Sequence, residues 1–185
     1  MEPSDWELVQ RSRKGDEEAF RELVARHYQK VFMVTLGMLN HHEDALEIAQ
    51  ETFFKAYRNL KSFKGDSTFY TWVYRIAVNL SIDWQRRHRR NPVEMSEATE
   101  EATEGRLTSG DDPYCDFQNR ELRERILAAL NELSPEHKTV IVLRVIEGLS
   151  YKDIGHILGC PEGTVMSRLH NARKRLQEKL GPLLS

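Results

Sequence analysis

Ser167, Arg168, His170, Asn171, Arg173, Lys174 and Arg175 load one short stretch of this 185-residue chain with hydrogen-bond donors. Arg and Lys donate to guanine edges and to phosphate, and Asn suits adenine, so the chemistry on offer is recognition of nucleic acid. A second group, His41-His42-Glu43-Asp44, sets ligand-type side chains in a row. Adjacent histidines point to different sides of a helix, and neither H-x-x-x-H nor H-E-x-x-H spacing occurs. With no G-x-S-x-G and no phosphate loop, we expect no catalytic residue, no metal and no cofactor, hence no enzyme. The four residues read instead as the first turn of a helix. A third group, Phe63, Lys64, Gly65, Asp66, Ser67 and Thr68, precedes the aromatic run Phe69-Tyr70-Thr71-Trp72. Rings and small polar groups together suit unpaired bases, which stack on aromatics for about 1–3 kcal/mol each. The plainer alternative is an interhelical loop with its aromatics packed below.

The donors at 167–175 require a rigid carrier. Ser150 is a good N-cap, and Asp153 three residues on completes an S-x-x-D capping box. Ile154, Ile157 and Leu158 form one apolar stripe. Gly159 ends that helix, and Pro161 suits the first turn of the next. Val165, Leu169, Ala172 and Leu176 then recur at helical steps, leaving the donors on the outer face. This is the spacing of a helix-turn-helix with a basic second helix. An ordinary helical hairpin with a solvated basic face is the alternative.

The first half is helical throughout. Gly15-Asp16 separates two helices, and Glu17 and Glu18 favour the positive end of the second. Its buried stripe is Phe20, Leu23, Val24, Tyr28 and Val31. A longer helix buries Ala45, Ile48, Ala49, Thr52, Phe53, Ala56, Tyr57 and Leu60, and a third buries Phe69, Trp72, Val73, Ile76, Ala77, Leu80 and Trp84. Glu47, Gln50, Glu51, Phe54 and Arg58 share the side away from the core, and an aromatic there marks a contact surface. On the third helix Thr71, Arg75, Asn79, Ile82 and Arg86 face outward. That helix runs into Arg86-Arg87-His88-Arg89-Arg90, a phosphate contact or a solvated terminus.

Charge separates these halves. Residues 1–90 carry 15 basic and 13 acidic side chains, residues 91–119 carry 1 and 8, and residues 120–185 carry 11 and 8. Two weakly basic modules flank an acidic spacer with too little apolar surface to order, so we expect a flexible linker. Its acidity serves solubility or mimics nucleic acid within a partner's basic channel. Cys115 and Cys160 form no C-x-x-C, and no disulfide or zinc site is expected. MEPSDWELVQ has no apolar h-region and no run is long enough to span a bilayer, so we expect a cytoplasmic protein without membrane insertion.

Read together, KGDEEAF at Lys14–Phe20, AQETFFKAYRNLKSFKGDSTFYTWVYRIAVN at Ala49–Asn79, and ELSPEHKTVIVLRVIEGLSYKDIGHILGCPEGTVMSRLHNARKRL at Glu132–Leu176 resemble the extracytoplasmic-function (group IV) sigma factors of bacterial RNA polymerase over nearly the full length. The resemblance implies an all-α fold of two small helical domains: sigma region 2 at 1–90, an acidic flexible linker at 91–118, and sigma region 4 with its helix-turn-helix at 119–185. It implies that Asp44, Glu47, Gln50, Glu51, Phe54 and Arg58 dock on core RNA polymerase. Phe63, Lys64, Gly65, Asp66, Ser67 and Thr68, with Arg75, Asn79 and Arg86, would hold the single-stranded minus-ten element. Thr164, Met166, Ser167, Arg168, His170, Asn171, Arg173, Lys174 and Arg175 would meet the minus-thirty-five duplex. The linker would thread near the active centre, which favours the mimicry account of its acidity. The family often carries basic residues at the positions of Met166 and Asn171, and Glu162 is mildly unfavourable for DNA, so a different minus-thirty-five sequence is expected. A stress or envelope response and a membrane-anchored anti-sigma partner also follow from the resemblance. A stand-alone helix-turn-helix repressor or activator is the alternative, but it leaves Phe54 and the loop 63–68 without a role.

Overall fold

The computed structural model describes residues 2–90, 122 and 124–184. The expected linker at 91–118 and Cys115 lie outside the described residues. Several helices begin where a polar side chain takes an orphan N–H. Helix α1 (Asp5–Arg13) opens on a capping box: Ser4 Oγ accepts from the Glu7 N–H, and the Glu7 carboxylate accepts from the Ser4 N–H at 2.7 Å. Asp16 caps α2 (Glu17–Leu39) by accepting from the Ala19 N–H at 3.1 Å. His41 caps α3 (His42–Asn59), and its Nδ1 lies 2.6 Å from the Asp44 carboxylate. The His-His-Glu-Asp run is thus a helix start, and no group able to hold a metal occurs among the described residues. A 3-10 turn, Leu60–Ser62, leads through the loop to α4 (Phe69–Arg90).

The C-terminal part is also helical: α5 (124–131), α6 (Pro135–Ile141) widening into a π-helical turn at Val142–Ile146, α7 (Tyr151–Leu158) and α8 (Glu162–Leu184). Ser150 Oγ accepts from the Asp153 N–H at 3.1 Å, as its spacing requires, and donates to the Asp153 carboxylate. Gly159 closes α7 with φ +64°. Pro161 stands just before α8 rather than inside its first turn, and its carbonyl accepts from the Thr164 and Val165 N–H groups.

Leu8, Val9, Leu23, Val31, Val34, Met38, Phe53, Phe69 and Val73 fill the first module, and Val140, Leu143, Ile154, Ile157, Val165 and Leu169 fill the second. These side chains belong to one continuous cluster. The join falls on α4 and the end of α2. Tyr74 donates its phenol proton to Glu147 at 2.6 Å, and burial together with that carboxylate pushes its pKa upward. The Arg75 guanidinium donates to the carbonyls of His156 at 2.5 Å and Ile157 at 3.3 Å. Val142 and Ile146 rest on α2 at Gly37.

This join explains where the helical stripes depart from expectation. Tyr74 and Val78 are buried, although both lie off the stripe read for α4, because that helix packs on two sides. Thr71 is buried as well, its N–H donating to Thr68 Oγ1. Tyr57 goes the other way: it is 47% exposed, its ring lying against Phe20 on the surface of α3.

The tight turn of the helix-turn-helix depends on Gly155. A Cβ there would sit 2.8 Å from the Cys160 carbonyl oxygen, a backbone atom that has little room to retreat. Gly155→Ala should therefore cost about 1–3 kcal/mol through overpacking, although alanine favours helix. Urea denaturation should show a lower midpoint; an unchanged one would mean that the turn yields freely.

Candidate nucleic-acid interface

The loop between the 3-10 turn and α4 is built on a buried ring. Phe63 is 3% exposed and meets Trp72, Phe69 and Trp6 at centroid distances of 5.1, 6.1 and 6.1 Å. Among the residues expected to hold a strand, Phe63 is thus the floor of the loop. Lys64, Gly65, Asp66 and Thr68 are exposed above it, and Ser67 is half-buried. Thr68 Oγ1 accepts from the Thr71 N–H at 3.3 Å, which ties the end of the loop to the first turn of α4. Asn79 and Arg86 lie exposed further along that helix, with Arg86 loosely paired to Asp83 at 3.8 Å. Arg75 is on the same helix but is engaged by the α7 carbonyls.

On α3, Glu47, Gln50, Phe54 and Arg58 are exposed and Glu51 is half-buried, 3.7 Å from Lys55. Phe54 is 55% exposed, with the Arg58 guanidinium 5.6 Å from its ring centroid. Asp44 is turned back on His41 as part of the cap. Beside Phe54 runs an apolar groove lined by Glu17, Phe20, Arg21, Phe53 and Tyr57. Phe20 and Tyr57 lie on the apolar stripes of α2 and α3, and helical phase alone does not reveal that they pair with each other, centroids 4.9 Å apart, at the rim.

On α8, Val165, Leu169 and Ala172 are buried against the other helices of the module. Met166, Ser167, His170, Asn171, Arg173, Lys174 and Arg175 are exposed, while Thr164 and Arg168 are half-buried. Arg168 and Arg175 act on α6. Burial and then the nearby Arg175 and Arg168 charges hold the His137 pKa below its ordinary value, outweighing Glu136, which pulls it up. Glu136 is held below the usual carboxylate range by its own backbone N–H, and by Ser134, Arg168 and Arg86, against a smaller opposing effect of burial. A basic outer face and an apolar inner face are what a helix needs to enter a major groove.

An exposed polar loop, a basic helix face and an exposed aromatic on α3 thus stand on a scaffold that is helical apart from its turns among the described residues, which is the make-up of a sigma-70-type transcription factor. Residues 23–91 match the family Sigma-70 region 2, and residues 123–176 match Sigma-70, region 4. The chain is 38% identical to the ECF RNA polymerase sigma-E factor of Haemophilus influenzae, covering 98% of this chain and 97% of that one. It is 37% identical to the RNA polymerase sigma-H factor of Pseudomonas aeruginosa, covering 97% and 95%. Among solved structures, CnrH in complex with the cytosolic domain of CnrY superposes with a TM-score of 0.70 at 25% identity, covering 95% of this chain and 96% of that one. The sigma factor RpoE of Bartonella quintana, in complex with the anti-sigma factor NepR, gives 0.67 at 25% identity, covering 88% and 96%. The chain belongs to the ECF sigma factors of bacterial RNA polymerase, and its work is promoter-specific transcription initiation. A stand-alone repressor or activator, which would need only the last module, is set aside.

Exposure separates the two phenylalanines of the site. Phe54→Ala should change stability by less than about 0.5 kcal/mol, as at an open surface position. Phe63→Ala should cost about 3–5 kcal/mol by emptying a buried ring site. Thermal and urea unfolding would check both, and comparable losses would show that Phe54 is part of the core.

Proposed function

We propose that residues 1–90 dock on core polymerase and hold the minus-ten strand, that residues 119–185 read the minus-thirty-five duplex, and that 91–118 link them. In the first module Glu47, Gln50, Glu51, Phe54 and Arg58 form the polymerase face, widened by Tyr57. Lys64, Asp66, Ser67 and Thr68 meet an unpaired base, with Asn79 beside them. In the second module Met166, Ser167, His170, Asn171, Arg173 and Lys174 face the groove. The observation that carries this reading is the loop 63–68, whose Lys64 and Asp66 stand exposed above a buried aromatic floor. The protein has no chemistry of its own and acts in the cytoplasm; no described helix is long and apolar enough to cross a membrane.

We also propose control by an anti-sigma factor anchored at the inner membrane, within a stress or envelope response. Of the proteins that resemble this chain over both modules, RpoE is in complex with the anti-sigma factor NepR, and CnrH with the cytosolic domain of CnrY. Physical support comes from the join between modules, which engages Arg75 and buries Tyr74. A partner that favours this packed arrangement would compete with polymerase through differential affinity alone, with no ligand site on the chain.

Three outcomes test these roles. Phe54→Ala should weaken core binding by about 2 kcal/mol, roughly 30-fold, as for an interface anchor. Lys64→Ala or Asn79→Ala should reduce permanganate-reactive open complexes while sparing closed ones, and Arg173→Ala should weaken the closed complex first. Equal loss at both stages would move Lys64 and Asn79 away from the strand. The protein should also co-purify from unstressed cells with a membrane protein; recovery only free or with polymerase would place control in its synthesis.

A further inference from the structure

We infer that Trp6 is a positioning residue for minus-ten capture: its indole holds the loop 63–68 in the shape that receives an unpaired base. The inference deepens the strand-binding role given to that loop and rests on it. Trp6 stands in the first turn of α1, is not among the residues given a contact with DNA or polymerase, and is 46% exposed. Its covered half lies on the loop. A Cβ at Gly65 would come within 2.7 Å of Trp6 Cζ3 and 2.8 Å of Cη2, so the ring sits directly on the glycine backbone. Gly65 has φ +83°, where a side chain would be strained even without the indole.

Two further ties join α1 to the same segment. The Phe63 ring meets the Trp6 ring edge to face at 70°. Arg13, its guanidinium 5.7 Å from the Trp6 ring centroid, donates through Nε to the Leu60 carbonyl at 3.1 Å. Helix α1 therefore holds the segment at Leu60, Phe63 and Gly65, and Lys64 and Asp66 project from either side of the last point. The helix itself is anchored. Asp5, next to Trp6, lies 2.7 Å from His27 Nε2 and 3.3 Å from the Arg26 guanidinium, and Leu8 and Val9 are buried. A glycine is the residue most able to leave its conformation once released. Without the indole, the loop would have to be ordered by the strand at the moment of capture, which lowers affinity for the strand alone.

The test uses holoenzyme reconstituted from core polymerase and the full chain carrying Trp6→Ala, Trp6→Phe or Lys64→Ala. The probes are a single-stranded non-template oligonucleotide spanning the minus-ten sequence of a promoter the holoenzyme transcribes, and the corresponding duplex promoter in its closed complex. Trp6→Ala should weaken oligonucleotide binding about tenfold, the scale on which lost preorganisation acts, with core binding and the closed complex within about twofold. Trp6→Phe, which keeps an aromatic ring over Gly65, should recover most of the loss. If Lys64→Ala weakens the oligonucleotide and Trp6→Ala does not, the positioning role is overturned and the loop's role stands. If neither does, the loop is not the strand-binding element and both fall. A Trp6→Ala variant that loses core binding, closed complex and oligonucleotide in equal measure has a general packing role, which also overturns the inference.

Discussion

Helix α4 is buried from two sides, and the placement of every recognition surface depends on that constraint. Its Phe69, Val73, Ala77 and Leu80 belong to the first module, while Tyr74 reaches Glu147 and Arg75 reaches the end of α7 in the second. Fully burying a large apolar side chain contributes about 1.5–3 kcal/mol, so the apolar face alone would hold α4 in place. The polar join adds direction. A buried phenol that donates to a carboxylate, and a guanidinium that donates to two helix-terminal carbonyls, each require one orientation of the partner helix.

Rigid support lies beneath each surface that must stay open. Under the loop 63–68, Phe63, Phe69 and Trp72 form a ring cluster, and His27 extends it with its ring 5.5 Å from Phe69. Because Asp5 holds His27, the anchoring of α1 and the floor of the loop are parts of one packing arrangement. On α3, Phe54 has Arg58 over its ring instead of neighbours around it. Such a ring adds little to the stability of the free protein and keeps its apolar area for a partner. Helix α8 follows the same division, with Val165, Leu169 and Ala172 inside and its donors outside.

Charge in this protein is local. The formal net charge of −2 would argue against DNA, yet the donors on α8 are gathered on one exposed face, and a charge is felt mainly within the Debye length of about 8 Å at physiological ionic strength. Arg168 and Arg175 also act on α6, where both depress His137 and Arg168 depresses Glu136. Arg168 is half-buried there, while Arg173 and Lys174 are exposed.

The amino-acid sequence by itself determined the long helices of the first half and the helix-turn-helix, the caps at Asp16, Ser150 and Gly159, and the main stripe that each of these helices buries. Ser150, Asp16 and Gly159 act through neighbours three or four residues away, and such short-range bonds are legible without a fold. It also determined the outward face of α8, because a stripe at steps of three and four leaves only one side for the donors. What the tertiary structure decided is which stripes meet. Tyr74 and Val78 are buried because a second module covers a face of α4 that no local pattern marks, and Arg75 meets carbonyls more than eighty residues away. Tyr57 is at the surface because its partner, Phe20, stands at the rim of another helix. Phe63 lies under its loop rather than on it, and Trp6 rests on Gly65 across nearly sixty residues of chain. Periodicity carries the phase of one helix about its own axis; the angle and depth at which two helices pack come from side chains far apart in sequence, and these set whether a ring on the border of a stripe is buried or exposed.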